Sequence, residues 1–521
     1  MKRKSCLLFV LCALVSCGGQ NTVNDITNDN TQIKEEENEK EDSKENKDNE
    51  SNENDKEKEN DKEDNKEGDH KEDPETPKEK YELDPTKESL YSNQKYLNYL
   101  GDIQDVWKEY RGDNVTLAII DSGFAIDHAE FKFADGKSKI LANSAYFSFD
   151  GSKVNVTKGV DKVKITNGDS HGTICATVAA GSVTGSGTVG VAPNANLLLL
   201  KVDGKPQSVN EAFKYAADNG AKVLSISLGS YNNEKGDLQT EGIDLTSFFD
   251  DATKYAHDKG MVICSAAGNG GLSRPTEYTY PGASSYVIGC GGLKDQSRTE
   301  LWNESSYNSS KKYQFCDVFA PGNNLYSGCF FDDNGKHYDY AGGFNGTSFS
   351  SPIVAGAAAL YFEKYPNATN FDFERALFNT CTKLSPSEKT GYGAIHIKNL
   401  MNYKIPQDAI KTYYLHTSSW RSADNAASYM FAWNYALTIQ NKDFPGAKLT
   451  KISDYYYSFE LDSTLYSYVM FTRRSQTGAD WNARTRDVEL CELGFNDTIN
   501  ISNNSTWYDD ANETSVTFSK K

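Results

Sequence analysis

Three short stretches of this 521-residue chain carry side chains that together could cleave an acyl bond. Ser348 lies in Gly346-Thr-Ser-Phe-Ser-Ser-Pro352, just before the Ala-rich run Ala355-Gly-Ala-Ala-Ala-Leu360. Glycines suit a turn with unusual backbone angles, the Ala-rich run predicts a helix, and Pro352 reads as part of its first turn, where Pro is tolerated. Ser348 then stands at a helix mouth, where N–H groups without helical partners and the positive dipole end favour a developing anion. A serine hydroxyl is too weak to attack an amide alone and needs a base and an orienting acid. His171, in Asp169-Ser-His-Gly-Thr173, supplies the base, and of seven histidines it alone sits at such a loop-to-helix junction. Asp121 ends the apolar run Val115–Ile120 and is followed by Ser122-Gly123, so it supplies the acid.

In the order Asp121, His171, Ser348 these stretches resemble the signatures of subtilisin-like serine proteases, Asp-Ser-Gly, His-Gly-Thr and Gly-Thr-Ser-x-x-Ser-Pro. Ser265-Ala-Ala-Gly-Asn269-Gly270 also matches, with Asn269 at the position of the family's oxyanion-hole side chain. The resemblance implies serine endopeptidase activity: His171 takes the Ser348 proton, Asp121 holds the imidazole, and Asn269 with the Ser348 N–H stabilises the oxyanion. With all four positions filled, a pseudo-enzyme is excluded on residues. Thr177 stands where the family usually has Gly, and Phe349-Ser350 where Met-Ala is frequent.

Substrate contacts follow from the same resemblance. Ser225-Ile-Ser227-Leu-Gly229 looks like the strand that pairs with an extended peptide. Leu228, Gly229, Ala266, Ala267 and Gly268 would wall the first specificity pocket, with Thr279 near its floor. No carboxylate is evident there, which favours an apolar side chain before the scissile bond. The chemistry requires no metal and no cofactor. Asp127 matches a position that ligates calcium in some relatives, while the loop Gly181–Val189 lacks their usual Asn, which leaves a structural calcium open.

Around these residues, apolar runs alternate with helical patterns. Strands are predicted at Val115–Ile120, Asn196–Val202, Val223–Leu228, Met261–Ala266 and Tyr286–Gly291. A helix is predicted over Ser208–Asn219, with a Ser208/Glu211 capping box and a stop at Gly220. Continuously apolar strands between helices indicate an α/β fold, a doubly wound parallel sheet covered by helices on both faces. Such sheets gather functional groups at the carboxyl ends of their strands.

The predicted organisation has four parts. Residues 1–16 read as a signal peptide, with Lys2-Arg3-Lys4 before an apolar run too short to span a bilayer. Leu14-Val-Ser-Cys17 resembles the lipobox of bacterial lipoproteins, which makes Cys17 a lipidated first residue and places the protein in the cell envelope, extracytoplasmic and membrane-anchored. Residues 17–80 form an acidic tether: Lys34 to Lys80 holds 22 acidic and 11 basic residues, −11 of the formal −19, with too little apolar surface to fold. No inhibitory prodomain is visible in that space. Residues 81–403 are the peptidase domain. Residues 411–521 turn aromatic and strand-like between turn signals, a β-sandwich resembling a bacterial starch-binding module, in which Trp420 and Trp481 are the candidates for stacking on an α-glucan. Of the cysteines, Cys316 and Cys329 could bridge in an exported protein. The expected partners are polypeptide substrates and the membrane, with an α-glucan as a further candidate; the chain is expected to be a monomer with no nucleic-acid partner. The competing function is a surface-binding protein in which residues 411–521 do the main work.

Overall fold

The computed structural model describes residues 80–166, 170–233, 245–271, 277–284, 286–308, 315–333, 336–404 and 410–417, and beyond them 427–434, 439–440, 447–453, 456–462, 466, 468–474, 488–489, 497–501 and 516–520. The predicted signal, Cys17 and the acidic segment up to residue 79 lie outside the described residues. Among the described residues no helix is long and apolar enough to cross a membrane.

The strands before residue 404, here the first region, run in chain order as β1 (Thr116–Asp121), β2 (Ala145–Phe149), β3 (Val154–Lys158), β4 (Asn196–Val202), β5 (Val223–Ile226), β6 (Ser230–Asn233), β7 (Val262–Ala266), β8 (Glu277–Tyr280), β9 (Ile288–Leu293), β10 (Val318–Pro321), β11 (Leu325–Asp333), β12 (Lys336–Phe344) and β13 (Gly393–Ala394). Nine of them form one sheet in the order β13-β10-β9-β7-β5-β1-β4-β2-β3. Every neighbouring pair is parallel except β2 with β3. The helices are α1 (Ile103–Val106), α2 (His171–Ala180), α3 (Pro206–Asp218), α4 (Leu245–Asp258), α5 (Thr347–Lys364), α6 (Asn370–Thr380), α7 (Ser387–Thr390) and α8 (Ile397–Met401).

The two-residue period of a strand assigns the faces. Leu117, Ile119, Leu197 and Leu199 pack in one core with α2 and α5. Ala118, Ile120, Leu198 and Leu200 pack in a second core with α3 and α4. The sheet is therefore covered on both sides, as its apolar strands require. Helix α5 is buried nearly all round, from Thr347 to Phe362, which its run of Ala and Gly permits because small side chains let the sheet and α2 approach closely. At its far end Glu363 accepts the backbone N–H groups of Arg111 (2.6 Å), Gly112 (2.6 Å) and Asp113 (3.1 Å).

Strand β4 coincides with its predicted span, and the other four predicted strands shift by a few residues at their ends. Asp121 is the last residue of β1 rather than one beyond it. The capping box at Ser208 is not formed: Pro206 opens α3 after Lys205, without a side-chain cap. Ser208 is buried, because Pro206 begins the helix two residues earlier and rotates Ser208 toward the core. No disulfide joins Cys316 and Cys329: both are free and buried, in separate core clusters. Asp333 at the end of β11 stands opposite Lys336 at the start of β12.

Beyond residue 404 two further sheets form. One has the order Thr450–Ser453, Tyr456–Asp462, Ile410–Thr417, Asp497–Ile501, Val516–Lys520; the other contains Ile439–Gln440, Ala427–Asn434, Tyr468–Arg474 and Val488–Glu489, with Ala447–Lys448 paired to Ala427–Asn434. Tyr413, Leu415, Phe459 and Leu461 from the first meet Met430, Ala432, Val469 and Phe471 from the second in one core. That is the arrangement of a β-sandwich. It joins the first region through Arg375 of α6, whose guanidinium binds Asp462 at 2.7 Å and Asp372 at 2.6 Å. Arg375 and Asp462 keep only 7% and 14% of their side-chain surface exposed, so removing one partner strands a charge. Arg375→Ala is expected to lower the unfolding free energy by about 3 kcal/mol in urea titration. Arg375→Met with Asp462→Leu, which removes both charges, should recover most of the loss. A single variant as stable as the parent would show that the ion pair does not hold the two regions together.

Candidate active site

Strand β1 delivers Asp121 at its carboxyl end, and α2 begins at His171. His171 Nδ1 lies 3.0 Å from both carboxylate oxygens of Asp121. The acid has no exposed surface, and Oδ1 also accepts the N–H (2.8 Å) and the hydroxyl (3.1 Å) of Ser122. These donors replace the water a buried carboxylate would otherwise need. Gly172 makes the approach possible, since a Cβ there would stand 2.8 Å from the Asp121 Cβ. Burial alone would push the His171 pKa down; the Asp121 carboxylate outweighs it and holds the imidazole well above its ordinary value. Asp121, His171 and Cys175 are also the one group of three potential metal ligands among the described residues. The direct Nδ1–carboxylate contacts there have hydrogen-bond length.

Ser348 is the second residue of α5, after Gly346, whose φ of +154° suits glycine. Its hydroxyl is buried and makes no hydrogen bond to a described group. Its N–H is among the first four of the helix, which have no intrahelical acceptor. Asn269 stands beside it: Oδ1 accepts the N–H (3.0 Å) and hydroxyl (2.9 Å) of Thr347, and the Thr347 hydroxyl oxygen in turn accepts the Gly268 N–H at 3.1 Å. With its oxygen committed to Thr347, the Asn269 side chain presents Nδ2 as its other end.

Pro352 is not in the first turn, as its sequence position suggested, but is the sixth residue of α5. One turn into a helix, Pro withholds the N–H that would bind the carbonyl four residues earlier, here that of Ser348. The Ser348 carbonyl instead accepts the Ser227 hydroxyl at 2.6 Å and the Cys175 thiol at 3.5 Å.

The residues expected to contact substrate are brought together. Ser227, Leu228 and Gly229 follow β5 outside any strand pairing. Thr279 is buried, with its hydroxyl on the Ala266 carbonyl at 2.9 Å, and a Cβ on Gly229 would lie 3.2 Å from the Thr279 Cβ. Ala266 and Ala267 are buried beside them. Trp420 and Trp481 lie outside the described residues, as does Cys17.

The calcium expectation meets a different donor set. Asp127 is exposed and pairs with Lys164 at 3.0 Å. In the loop Gly181–Val189, Glu88 Oε1 accepts the N–H groups of Thr184 (2.7 Å) and Gly185 (2.6 Å), and Glu130 Oε1 accepts the N–H of Thr188 at 2.8 Å. The loop carbonyls of Gly181, Gly187 and Val189 are taken by Gly190 N, Leu90 N and Gln94 Nε2, each at 2.9 Å. Calcium needs six to eight oxygens; the loop turns these N–H groups toward the two glutamates, whose Oε2 atoms are buried with no hydrogen-bond partner among the described residues.

Two neighbours of the site were not anticipated. Cys175 lies one turn after His171, its thiol 3.9 Å from Nδ1; the i, i+4 spacing on a helix carried that signal. The Phe349 ring stands 6.0 Å from the His171 ring and 6.0 Å from that of Phe344, a contact no local pattern encodes.

Residues 112–393 match the Subtilase family. Subtilisin DY of Bacillus licheniformis is 31% identical over 296 residues, covering 56% of this chain and 91% of its own length. The calcium-dependent protease of Trichormus variabilis is 29% identical, covering 60% of this chain and 50% of its own. Among solved structures, fervidolysin from Fervidobacterium pennivorans, a keratinolytic enzyme related to subtilisin, superposes with a TM-score of 0.51 at 21% identity, over 75% of this chain and 56% of that one. At that identity the likeness is one of fold. The chain thus spans little more than half the length of fervidolysin.

The raised His171 pKa fixes a sign. The charged imidazole is favoured in the folded protein, so the stability it contributes is complete below the unfolded value of about 6.5 and is lost as pH rises through the folded value. The neutral base appears only above it. Nuclear magnetic resonance of the His171 ring in Ser348→Ala protein should show titration above the ordinary imidazole range, with Asp121→Asn moving it down. Equal values in both proteins would mean that Asp121 does not set the charge state.

Proposed function

Because the chain belongs to the subtilase family, and is a subtilisin-like serine endopeptidase, we propose that Asp121, His171 and Ser348 are its catalytic triad. The observation that carries this reading is the buried His171–Asp121 pair at 3.0 Å, set beside the helix that begins with Thr347-Ser348. On attack the Ser348 hydroxyl passes its proton to His171 Nε2 as its oxygen bonds to the peptide carbonyl carbon. Asp121 keeps the tautomer with Nδ1–H toward itself and stabilises the imidazolium. The carbonyl oxygen becomes an oxyanion, met by the Ser348 N–H and by Asn269 Nδ2. His171 then protonates the leaving amine, and water repeats the sequence on the acyl-enzyme. No cofactor enters these steps. A peptide would lie along Ser227–Gly229, with its side chain before the scissile bond against Leu228, Ala266, Ala267 and Gly268 over Thr279. These walls offer no charge, which suits an apolar residue there.

Ser348→Ala is expected to abolish casein hydrolysis while leaving the circular dichroism spectrum unchanged, and parental activity in that variant would remove the nucleophile assignment. Asn269→Leu should lower turnover by about 10²–10³, the magnitude established for this kind of donor in subtilisin itself.

The reading extends to the envelope. Leu14-Val-Ser-Cys17 supports a lipid anchor at Cys17, with the acidic segment as spacer between membrane and enzyme. Cys17→Ser should move the protein from the detergent phase to the aqueous phase in Triton X-114 partition. Detergent partition unchanged by that substitution would count against the anchor.

A further inference from the structure

Ser227 was read as a substrate contact, but its geometry points elsewhere. The side chain is 1% exposed, and its one proton is already committed to the Ser348 carbonyl at 2.6 Å. A hydroxyl has a single donor, so it has none left for a peptide. A side-chain hydroxyl is an unusual donor to a carbonyl in the first turn of an 18-residue helix. Such a carbonyl normally receives the N–H four residues on, and Pro352 has none to give. The thiol of Cys175 approaches the same oxygen at 3.5 Å but is a weak donor. The carbonyl is wholly buried with its residue, so water does not substitute for the missing helical bond.

We infer that Ser227 is a positioning residue for the nucleophile: its hydroxyl replaces the helical hydrogen bond that Pro352 withholds from the Ser348 carbonyl, and so fixes the peptide plane from which the Ser348 side chain departs. The same bond ties the end of β5, along which the substrate would lie, to the first turn of α5. Substrate strand and attacking oxygen are held in one register by it. Misplacement of a reacting group by a fraction of an ångström is felt in turnover rather than in binding. The inference rests on Ser348 being the nucleophile, and failure of that reading would show separately as activity in Ser348→Ala.

The test compares Ser227→Ala in two backgrounds. In the parent, kcat on a peptide substrate should fall about tenfold, the effect of losing one hydrogen bond of ordinary strength, with KM within about twofold. In Pro352→Ala protein, where residue 352 regains an N–H for the Ser348 carbonyl, the same substitution should cost less than about threefold. A rise in KM with kcat unchanged, or an equal loss in both backgrounds, would overturn the inference. Phosphorylation of Ser348 by diisopropyl fluorophosphate, with loss of fluoride, gives a second reading that needs no Pro352 variant. That reagent is too small to occupy the peptide strand, so slower modification of Ser348 in Ser227→Ala supports positioning, and an unchanged rate overturns it.

Discussion

A carboxylate without exposed surface lying against an imidazole is the constraint from which the rest of this molecule follows. At the end of β1, Asp121 is met by Ser122 and His171, which supply donors where water cannot reach. Those donors have to be delivered rigidly, since an unpartnered buried charge costs several kcal/mol. Parallel strands supply the rigidity. The chain returns to the same edge of the sheet after each helix, so β1, α2 and α5 converge although their residues are distant in sequence. Gly172 lets α2 approach Asp121 of β1, and Gly356 lets α5 approach α2 at Ala179, so that the convergence reaches contact distance.

Much of this could be read in advance, and the reason is local. Asp121, His171, Asn269 and Ser348 each sit at or just past a strand end or at a helix start, beside glycines and small residues that such a junction dictates. The alternation of apolar strands and helices gives the architecture, because a strand covered on both faces has to be apolar throughout. What escaped was set by distance. Strands β2 and β3, partly exposed and antiparallel, lack the continuous apolar run. The start of α3 was missed because Pro206 competes with Ser208 as an opening signal, and packing chose Pro206. Pro352 was assigned to the first turn because residues 342 to 347 could not show where the helix begins. A shift of that boundary converts a harmless proline into one that denies the Ser348 carbonyl its helical donor, leaving it to the Ser227 hydroxyl. The carboxylates that face the Gly181–Val189 loop, Glu88 and Glu130, likewise lie far from it in sequence and are unremarkable in their own surroundings.

The β-sandwich shows the other side of the same rule. Aromatic density and turn signals predicted strands there, and two sheets around one core are present, yet the attachment to α6 through Arg375 and Asp462 joins positions 87 residues apart. An ion pair of this kind carries no local mark. A sequence reading sees a linker near residue 405, whereas the structure has a buried charge on either side of it.

Glu363 sets the order in which this protein can come into being. It closes α5 by gathering three backbone N–H groups from residues 111–113, some 250 positions earlier in the chain. A ribosome adds residues in sequence, so the N-terminal boundary of the domain waits through most of the synthesis for the carboxylate that completes it. Ser348 emerges only fifteen residues before that carboxylate. The Ser348 hydroxyl and the group that closes its helix therefore leave the ribosome almost together. Until then the nascent chain holds Asp121 and His171 without Ser348, so the three side chains of the site cannot meet before the domain is nearly complete.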